Sequence, residues 1–162
     1  MIKTIYLKSG AGIPNNPELP VILYQGVWKE DPLESEANFN RNKWLNSWVN
    51  GVFDFHHYHS NTHEVLAVQR GKALLMLGGE EGQEAEVSAG DVLLLPAGTG
   101  HKRLDASYDF QVAGAYPNGM SADLKKSLEN DLQLEIEKIN NVPLPETDPV
   151  YGESGPLFEF WK

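Results

Sequence analysis

Short apolar runs separated by glycine-containing turns fill the middle of the chain. They predict β-strands over Trp44–Val49, Gly51–Tyr58, Val65–Gln69, Ala73–Leu77, Glu84–Val87, Val92–Leu95 and Phe110–Tyr116. Strands this short, about 8 to 12 residues apart with turn residues between them, are typical of an antiparallel sandwich or barrel. The pattern therefore predicts an all-β domain whose core spans about residues 44–117.

The N-terminal flank, residues 1–43, mixes strand and helix signals. Alternating β-branched and aromatic residues predict an edge strand over Ile2–Leu7 and a second short strand over Val21–Val27. Between them, Ser9–Pro20 is rich in glycine and proline, which predicts a loop. An Asp-Pro start followed by acidic residues predicts a short helix over Asp31–Asn42. We expect this helix to pack outside the strands.

The C-terminal flank, residues 120–162, is different again. Leucine and isoleucine at helical spacing predict an amphipathic helix over Ser127–Asn140, packed outside the strands. Several prolines between Val142 and Val150 predict a stiff surface loop. The last segment, Leu157–Trp161, is too apolar for a free end and predicts a final strand or a subunit contact.

Length and composition describe one globular domain over residues 1–162. Of these residues 41% are hydrophobic, which is enough apolar material to close a sizeable core. Lys and Arg total 13 against 23 Asp and Glu, so the formal net charge is -10. DNA or RNA would be repelled by this surplus of negative charge. We therefore expect no nucleic-acid partner.

Two features are absent from the sequence, and each absence excludes a class of site or of protein. The chain contains no cysteine, so a bound metal ion must use histidine and carboxylate ligands. The start of the chain lacks the apolar region of a signal peptide, and no apolar run approaches the roughly 18 to 20 residues of a membrane span. The expectation is a soluble, cytoplasmic protein with no membrane partner.

Four of the five histidines fall within eight residues, which marks a candidate site. If Gly51–Tyr58 is a strand that continues one residue further, alternation places His57 and His59 on one face together with Phe53 and Phe55. Two imidazoles two positions apart on one strand face can share a metal ion. The apolar phenylalanines place that face in the interior of the barrel.

A candidate carboxylate follows the next turn. Glu64 shares a strand face with Leu66 and Val68, so it faces the core if they do. A buried carboxylate is costly unless it is paired or hydrogen-bonded, and a divalent metal ion beside two neutral imidazoles would be an efficient partner.

These residues resemble the two signature motifs of the cupin superfamily of small β-barrels. The first motif is matched in order and spacing by Gly51, His57, His59, Glu64 and Gly71. The second is matched by Gly90, Pro96, Gly98 and His101, with Asp105 where asparagine is usual. Segments 13–17, 96–101 and 114–117 also resemble the YjlB-like group of bacterial single-domain cupins. The resemblance implies a double-stranded β-helix, or jelly-roll, barrel.

The resemblance also implies a metal site. In the cupin motifs the ligands are the residues that stand here as His57, His59, Glu64 and His101, and the Asp105 position is not a ligand. Such a set binds one divalent ion of iron, manganese, nickel, zinc or copper. Three nitrogens and one oxygen leave two positions open in an octahedral site, where water, dioxygen or a chelating substrate can bind.

Five other residues near these motifs are weaker candidates. His63 is a candidate for a role beside the ligands or in the loop. Tyr58, Arg103 and Tyr116 are candidates for contact with substrate, although aromatic and cationic residues on barrel strands usually pack. His56 faces away from the predicted ligands, so we expect it to be exposed or hydrogen-bonded between elements.

By this resemblance the chain is expected to be a metal-dependent enzyme acting on a small oxygen-rich or carboxylated molecule, by dioxygenase-, isomerase- or lyase-type chemistry. A divalent ion beside one glutamate carries about +1 charge, which attracts such molecules. Two alternatives stay open: binding or sensing of a small ligand without chemistry, and a purely structural metal ion. A homodimer is also expected, formed through Trp161, Phe160 and the Ile2–Leu7 strand.

Overall fold

The structure, a computed structural model that describes residues 1–162, contains two antiparallel β-sheets. The strands are β1 (Ile2–Ile5), β2 (Val21–Tyr24), β3 (Trp44–Asn50), β4 (Glu64–Arg70), β5 (Lys72–Leu77), β6 (Gln83–Ser88), β7 (Val92–Leu95), β8 (His101–Ala106) and β9 (Gln111–Pro117). The larger sheet has the order β1-β2-β7-β4-β9-β3, and the smaller has the order β6-β5-β8. The predicted all-β, jelly-roll fold is confirmed.

Three short helices lie outside the strands. They are α1 (Ser35–Arg41), which follows a 3-10 turn over Pro32–Glu34, α2 (Leu132–Asn140) and α3 (Pro156–Phe160). The helix α2 begins later than predicted, because the Asp131 side chain accepts a hydrogen bond from the backbone N–H of Gln133 and so caps the helix there. None of the helices is long and apolar enough to cross a membrane.

The barrel interior lies between the two sheets. Leu66 and Val68 of β4 pack there with Leu93 of β7 and Leu75 of β5, and each is at most 3% exposed. Strand alternation places Glu64, two residues before Leu66, on the same inward face. The Glu64 side chain, at the start of β4, therefore points into the barrel, as the sequence indicates.

The opposite face of the larger sheet is buried as well. Val65 and Ala67 of β4 point away from the barrel and belong to a second core, which also contains Phe39 of α1, Leu157 of α3 and Trp161. The larger sheet is thus covered on both faces, which explains the nearly continuous apolar sequence of β4 and β7.

The C-terminal tail differs from its prediction. It forms α3, with Pro156 in the first turn, rather than a strand. Leu157 and Trp161 are 1% and 3% exposed within their own chain, and the Trp161 indole donates a hydrogen bond to the Pro20 carbonyl at 2.9 Å. Trp161 is therefore not free for a dimer contact. The homodimer stays a prediction, for which the partly buried Phe160 and β1, at an edge of the larger sheet, are the remaining candidates.

The predicted strand over Gly51–Tyr58 is also wrong. A strand needs a continuous hydrogen-bonded neighbour, and this segment has scattered contacts instead. The Phe53 carbonyl accepts from the N–H of Arg103, and His57 pairs with His101 in an isolated bridge. As a result Phe53 is 52% exposed and does not fill the interior.

The strand β8 was not predicted. Its residues His101 and Arg103 lie opposite Leu77 and Leu75 of β5, on the face that the neighbouring strand turns into the barrel. Because polar residues occupy these positions, the apolar alternation that marks the other strands is missing.

Candidate metal centre

Three histidines meet at one end of the barrel interior. His57 and His59 lie on the irregular segment before β4, and His101 begins β8. One ring nitrogen from each histidine lies within 4.8 Å of the other two. His57 and His101 are 4% and 3% exposed. The predicted convergence of these three residues is present, although no strand carries the first two.

The orientation of each imidazole is set by a backbone carbonyl. Nδ1 of His57 lies 3.0 Å from the Phe55 carbonyl oxygen, and Nδ1 of His101 lies 3.0 Å from that of Thr99. Nδ1 of His59 makes the same kind of contact with the carbonyl of Asp123. A carbonyl oxygen can only accept, so each Nδ1 carries the proton and donates it. The three Nε2 atoms are left with lone pairs when the rings are neutral.

Glu64 adds a fourth acceptor to this group, called here the histidine cluster (His57, His59, Glu64, His101). Its Oε1 lies 3.4 Å from Nε2 of His59 and 3.3 Å from Nε2 of His101. The carboxylate is 3% exposed. Lone pairs therefore face one another in a site that is largely shielded from solvent, and a cation would stabilise this arrangement. A proton on one imidazole or a metal ion would supply this positive charge.

The pKa values of the cluster residues also indicate that the site attracts a cation. Burial, together with the neighbouring His101, lowers the pKa of His57 to about 3. Burial alone would lower the pKa of His59, but the hydrogen bond to Glu64 and its negative charge raise it. For Glu64 the cost of burial is outweighed by the influence of the adjacent imidazoles of His101 and His59, so its pKa lies below the usual range. The glutamate thus stays ionised and draws positive charge to the site.

The donor set fits a divalent transition metal ion. Imidazole nitrogens and one carboxylate oxygen suit iron, manganese, nickel, copper and zinc, and none of the four needs a proton on the atom that faces the site. Imidazoles whose other nitrogen donates to a carbonyl are held in the tautomer that metal binding requires. His57, His59, Glu64 and His101 would hold the ion.

Tyr116, a sequence candidate for contact with substrate, lies next to the cluster. Its ring lies 6.3 Å from that of His59. Its hydroxyl accepts a hydrogen bond from the Trp48 indole at 2.9 Å. Burial and the charge of Glu64 raise the pKa of Tyr116, so its hydroxyl keeps its proton at neutral pH.

A small cavity opens beside the cluster. It holds about 30 Å³ and is lined by His57, His101 and Glu64 on one side and by Trp48, Phe53 and Leu66 on the other. This volume is that of about one water molecule in the liquid. This cavity has room for an ion or a water molecule but not for an organic substrate.

The loop after β9 holds the ligand His59 from outside the barrel. Besides the His59 contact, the Asp123 carboxylate accepts hydrogen bonds from the N–H and the hydroxyl of Ser60. Tyr58 and Lys125 exchange two backbone hydrogen bonds, of 2.8 and 3.0 Å. The sequence reasoning missed residues 121–125, because nothing in the composition of a polar loop indicates which ligand it will support.

Tyr58 does not reach the site. Its side chain is fully buried on the opposite side of the segment, where its hydroxyl donates to Oε2 of Glu135 at 2.6 Å. Lys125 contacts both oxygens of the same carboxylate, at 3.2 and 3.1 Å. These three residues are called the tyrosine cluster. Alternation explains the result, since Tyr58 lies between two histidines that point into the barrel.

His63 is also outside the centre. Its Nδ1 accepts a hydrogen bond from the N–H of Ala97 at 2.9 Å, so its Nε2 carries the proton and donates to the Pro143 carbonyl at 3.1 Å. The ring packs 4.8 Å from Trp161. Both nitrogens are used, and burial lowers the pKa of His63 to about 4. His63 therefore joins loops and has no free atom for a metal ion.

The remaining predicted residues lie at the rim or away from the cluster. Arg103 is partly exposed, with Nη2 3.9 Å from the Asp54 carboxylate. His56 is half-buried, and its Nδ1 has no hydrogen-bond partner. Asp105, in the place of the usual asparagine, accepts a hydrogen bond from the N–H of Ala106 and is exposed. None of these three side chains belongs to the histidine cluster.

Solved structures with a similar arrangement are distant. A DUF861 family protein from Thermotoga maritima is 21% identical, with a TM-score of 0.37, over 58% of this chain and 96% of that chain. A single-site mutant of the oxalate decarboxylase OxdC from Bacillus subtilis is 21% identical, with a TM-score of 0.41, over 67% of this chain and 28% of that chain. At these values the similarities carry no argument about what this chain does.

Sequence comparison is more specific. A family model described as "Cupin domain" matches residues 48–103, which contain all four residues of the histidine cluster. A protein of Bacillus subtilis (strain 168), described as "Uncharacterized protein YjlB", is 42% identical over 159 residues. The match covers 98% of this chain and 96% of that protein. The chain belongs to the cupin superfamily and, within it, to the group of proteins that resemble YjlB.

Proposed function

We propose that this protein is a metal-dependent enzyme that acts on a small oxygen-rich or carboxylated molecule, by dioxygenase-, isomerase- or lyase-type chemistry. The observation that supports the proposal is the convergence of three carbonyl-oriented imidazoles and one buried glutamate, none of which needs a proton on the atom that faces the site. A divalent ion at this position would supply Lewis-acid or redox chemistry to a bound molecule.

Charge supports the choice of substrate. The whole chain carries a formal charge of -10, which repels anions in general. A divalent ion beside Glu64 would leave a local charge of about +1 in a water-poor site, where electrostatic attraction is strong. A carboxylate or an enolate is therefore favoured at the cluster although it is disfavoured elsewhere on the protein.

The residues around the cluster have defined parts in such a reaction. Glu64 is ionised and Tyr116 keeps its proton, so the two side chains offer a proton acceptor and a proton donor beside the substrate. Trp48 fixes the position of the Tyr116 hydroxyl. Leu66 and the other apolar residues around the cavity keep bulk water away.

Metal content is the first test. Protein purified without added metal is analysed for transition metals, and His57→Ala is compared with His56→Ala, since His56 is a neighbouring histidine outside the cluster. We expect about one equivalent of metal in the wild type and in His56→Ala, and none in His57→Ala. Equal metal content in all three proteins would contradict the proposed ligands.

Turnover is the second test. Metal-loaded protein is screened with diketones, hydroxy acids and sugar acids, again with His57→Ala as the control. Turnover that depends on His57 supports an enzyme. A ligand that raises the melting temperature but is recovered unchanged would instead indicate a binding or sensing protein.

A structural metal ion is the second candidate function, and the size of the cavity favours it. A space of about 30 Å³ admits no organic molecule unless a side chain moves. If this candidate is correct, metal removal lowers the melting temperature strongly, while no small molecule binds to the loaded protein in competition with water.

A further inference from the structure

Phe53 lies between the histidine cluster and solvent. It lines the cavity together with His57 and Glu64, yet 52% of its surface is exposed to solvent. It therefore forms the wall between the cavity and solvent. Because the cavity is too small for a substrate, an organic ligand has to contact or displace this ring. The segment from Gly51 to Phe55 has no regular secondary structure that would prevent such a movement.

The aromatic surface extends beyond Phe53. Its ring stacks on that of Phe55, with a centroid distance of 4.7 Å and an interplanar angle of 18°. Both rings meet the His57 imidazole edge-on, at 5.2 and 5.6 Å. A continuous aromatic path thus leads from solvent to a predicted metal ligand.

Two cations flank this aromatic pair. Nζ of Lys126 lies 4.6 Å from the centroid of the Phe55 ring. The Arg103 guanidinium is paired with Asp54 at 3.9 Å, at a position where the Asp54 side chain is 72% exposed. An exposed pair of this length contributes little, so Arg103 can exchange Asp54 for another carboxylate. Only 13 Lys and Arg are present in an acidic chain; of these, Lys126 contacts the Phe55 ring and Arg103 donates its backbone N–H to the Phe53 carbonyl.

We propose that the opening, formed by Phe53, Phe55, Arg103 and Lys126, selects a small carboxylate whose body is planar and apolar. This inference rests on the proposed metal-dependent function. The planar body stacks on the phenylalanines, and the carboxylate is drawn by the cations and the metal centre. A polyhydroxylated acid is disfavoured, because its hydroxyl groups would lose hydrogen bonds to water against the aromatic faces.

Binding of three matched compounds to the zinc-loaded protein tests the proposal. Phenylpyruvate has a planar aromatic body and a carboxylate, gluconate has a carboxylate and hydroxyl groups, and 1-phenyl-1,2-propanedione has the aromatic body without the charge. Zinc is redox-inactive, so calorimetry measures binding alone. We expect phenylpyruvate to bind at least about tenfold more tightly than each of the other two, the equivalent of one good aromatic or charged contact.

Variants assign the selectivity to its residues. Phe53→Ala should weaken phenylpyruvate binding about tenfold and leave gluconate unchanged, whereas Phe158→Ala, a partly exposed phenylalanine of α3, should have no effect. Arg103→Gln should reduce the preference for phenylpyruvate over the uncharged diketone, and Arg70→Gln, at an exposed strand end, should not.

Two outcomes would overturn the inference. In the first, the protein retains zinc but binds gluconate as tightly as phenylpyruvate, or none of the three compounds; the metal site then stands and the aromatic selectivity fails. In the second, no zinc is retained, so that the proposed function fails together with this inference. Zinc content, measured in every variant, separates the two.

Discussion

Two buried polar clusters lie on opposite sides of the segment from His57 to His59, and they differ in the groups that surround the glutamate of each. Each contains a glutamate that is 3% exposed: Glu64 in the histidine cluster and Glu135 in the tyrosine cluster. Glu135 is surrounded by donors, from the Tyr58 hydroxyl and the Lys125 ammonium group. Glu64 faces two imidazole nitrogens that carry lone pairs when the rings are neutral.

The difference teaches how a structural cluster can be told from a binding site. A buried carboxylate is tolerated when donors and opposite charge are supplied by the protein itself, as they are for Glu135. Where only acceptors converge, the missing cation has to come from outside. We therefore expect substitutions in the tyrosine cluster to change stability, and substitutions in the histidine cluster to change metal binding.

The largest effect is expected from breaking the tyrosine cluster. Lys125→Met leaves the Glu135 carboxylate buried without its counter-charge, which should lower the free energy of unfolding by about 3–5 kcal/mol. Urea denaturation in the presence of a chelator measures this loss. Lys126→Met, at the exposed neighbouring position, is the control and should change stability little. The double variant Lys125→Met, Glu135→Gln should recover part of the loss; no recovery would mean that Lys125 acts in another way.

The next largest effect is expected on the free energy of unfolding that a bound metal ion adds. With free metal at 100 to 1,000 times its dissociation constant, binding to the folded state adds about 2.7 to 4.1 kcal/mol to the free energy of unfolding. His101→Ala should abolish this increment. Denaturation with and without metal gives the increment for each protein, and Tyr58→Phe should retain it. An increment of the same size in His101→Ala would refute the assignment of His101 as a ligand.

The free energy of unfolding should depend on pH, because His57 and His63 are buried in their neutral form. The folded chain has lowered pKa values for His57 and His63, of about 3 and about 4, whereas the unfolded chain has the ordinary value near 6.5. Between pH 6.5 and 4 the unfolded state binds protons that the folded state does not. Stability should therefore fall as pH falls, by about 1.4 kcal/mol per pH unit for each histidine.

Denaturation of the metal-free protein across this range checks the pH dependence. His63→Gln should remove the contribution of one histidine to the slope of unfolding free energy against pH, and so should His57→Gln. Tyr58 adds nothing here, since burial and its hydrogen bond to Glu135 raise its pKa further above this range. A slope unchanged by either substitution would show that other groups carry it.

The smallest effect should come from the loop that supports His59. Asp123→Ala removes the acceptor that fixes Ser60, so the carbonyl that orients His59 becomes less well placed. Metal affinity should fall about tenfold, as is usual when the partner of a ligand is lost. Competition with a chelator measures the affinity. Glu137→Ala, an exposed change on α2, serves as the control.

The sequence identified the histidine cluster because its residues stand at fixed spacings in two short motifs. That information does not depend on secondary structure: His57 and His59 converge although the predicted strand is absent. The pairing of Tyr58 with Glu135 could not be predicted, because it joins positions 77 residues apart and depends on where α2 packs. The partners of His63 could not be predicted for a related reason, since both come from distant loops.

The fold was predictable where the pattern of apolar residues along a strand reflects which of its side chains are buried. It was less predictable at β8, whose inward positions His101 and Arg103 are polar because they serve the site or its rim. The tail was misinterpreted because apolar character alone does not distinguish a strand or a subunit contact from a helix that closes a core. Leu157 and Trp161 complete the second core within their own chain.

The two-sided burial of the larger sheet has a consequence for biosynthesis. The strands β1 to β9 all precede residue 118, whereas the outer face of β4 waits for Leu157 and Trp161. On the ribosome, a nascent chain that already contains all four predicted metal ligands has this face only partly covered, by Phe39 of α1 and its neighbours. Stalling or truncation before residue 157 would thus give a chain that carries the predicted ligands but exposes apolar surface, and such a chain would be prone to aggregate and a substrate for chaperones.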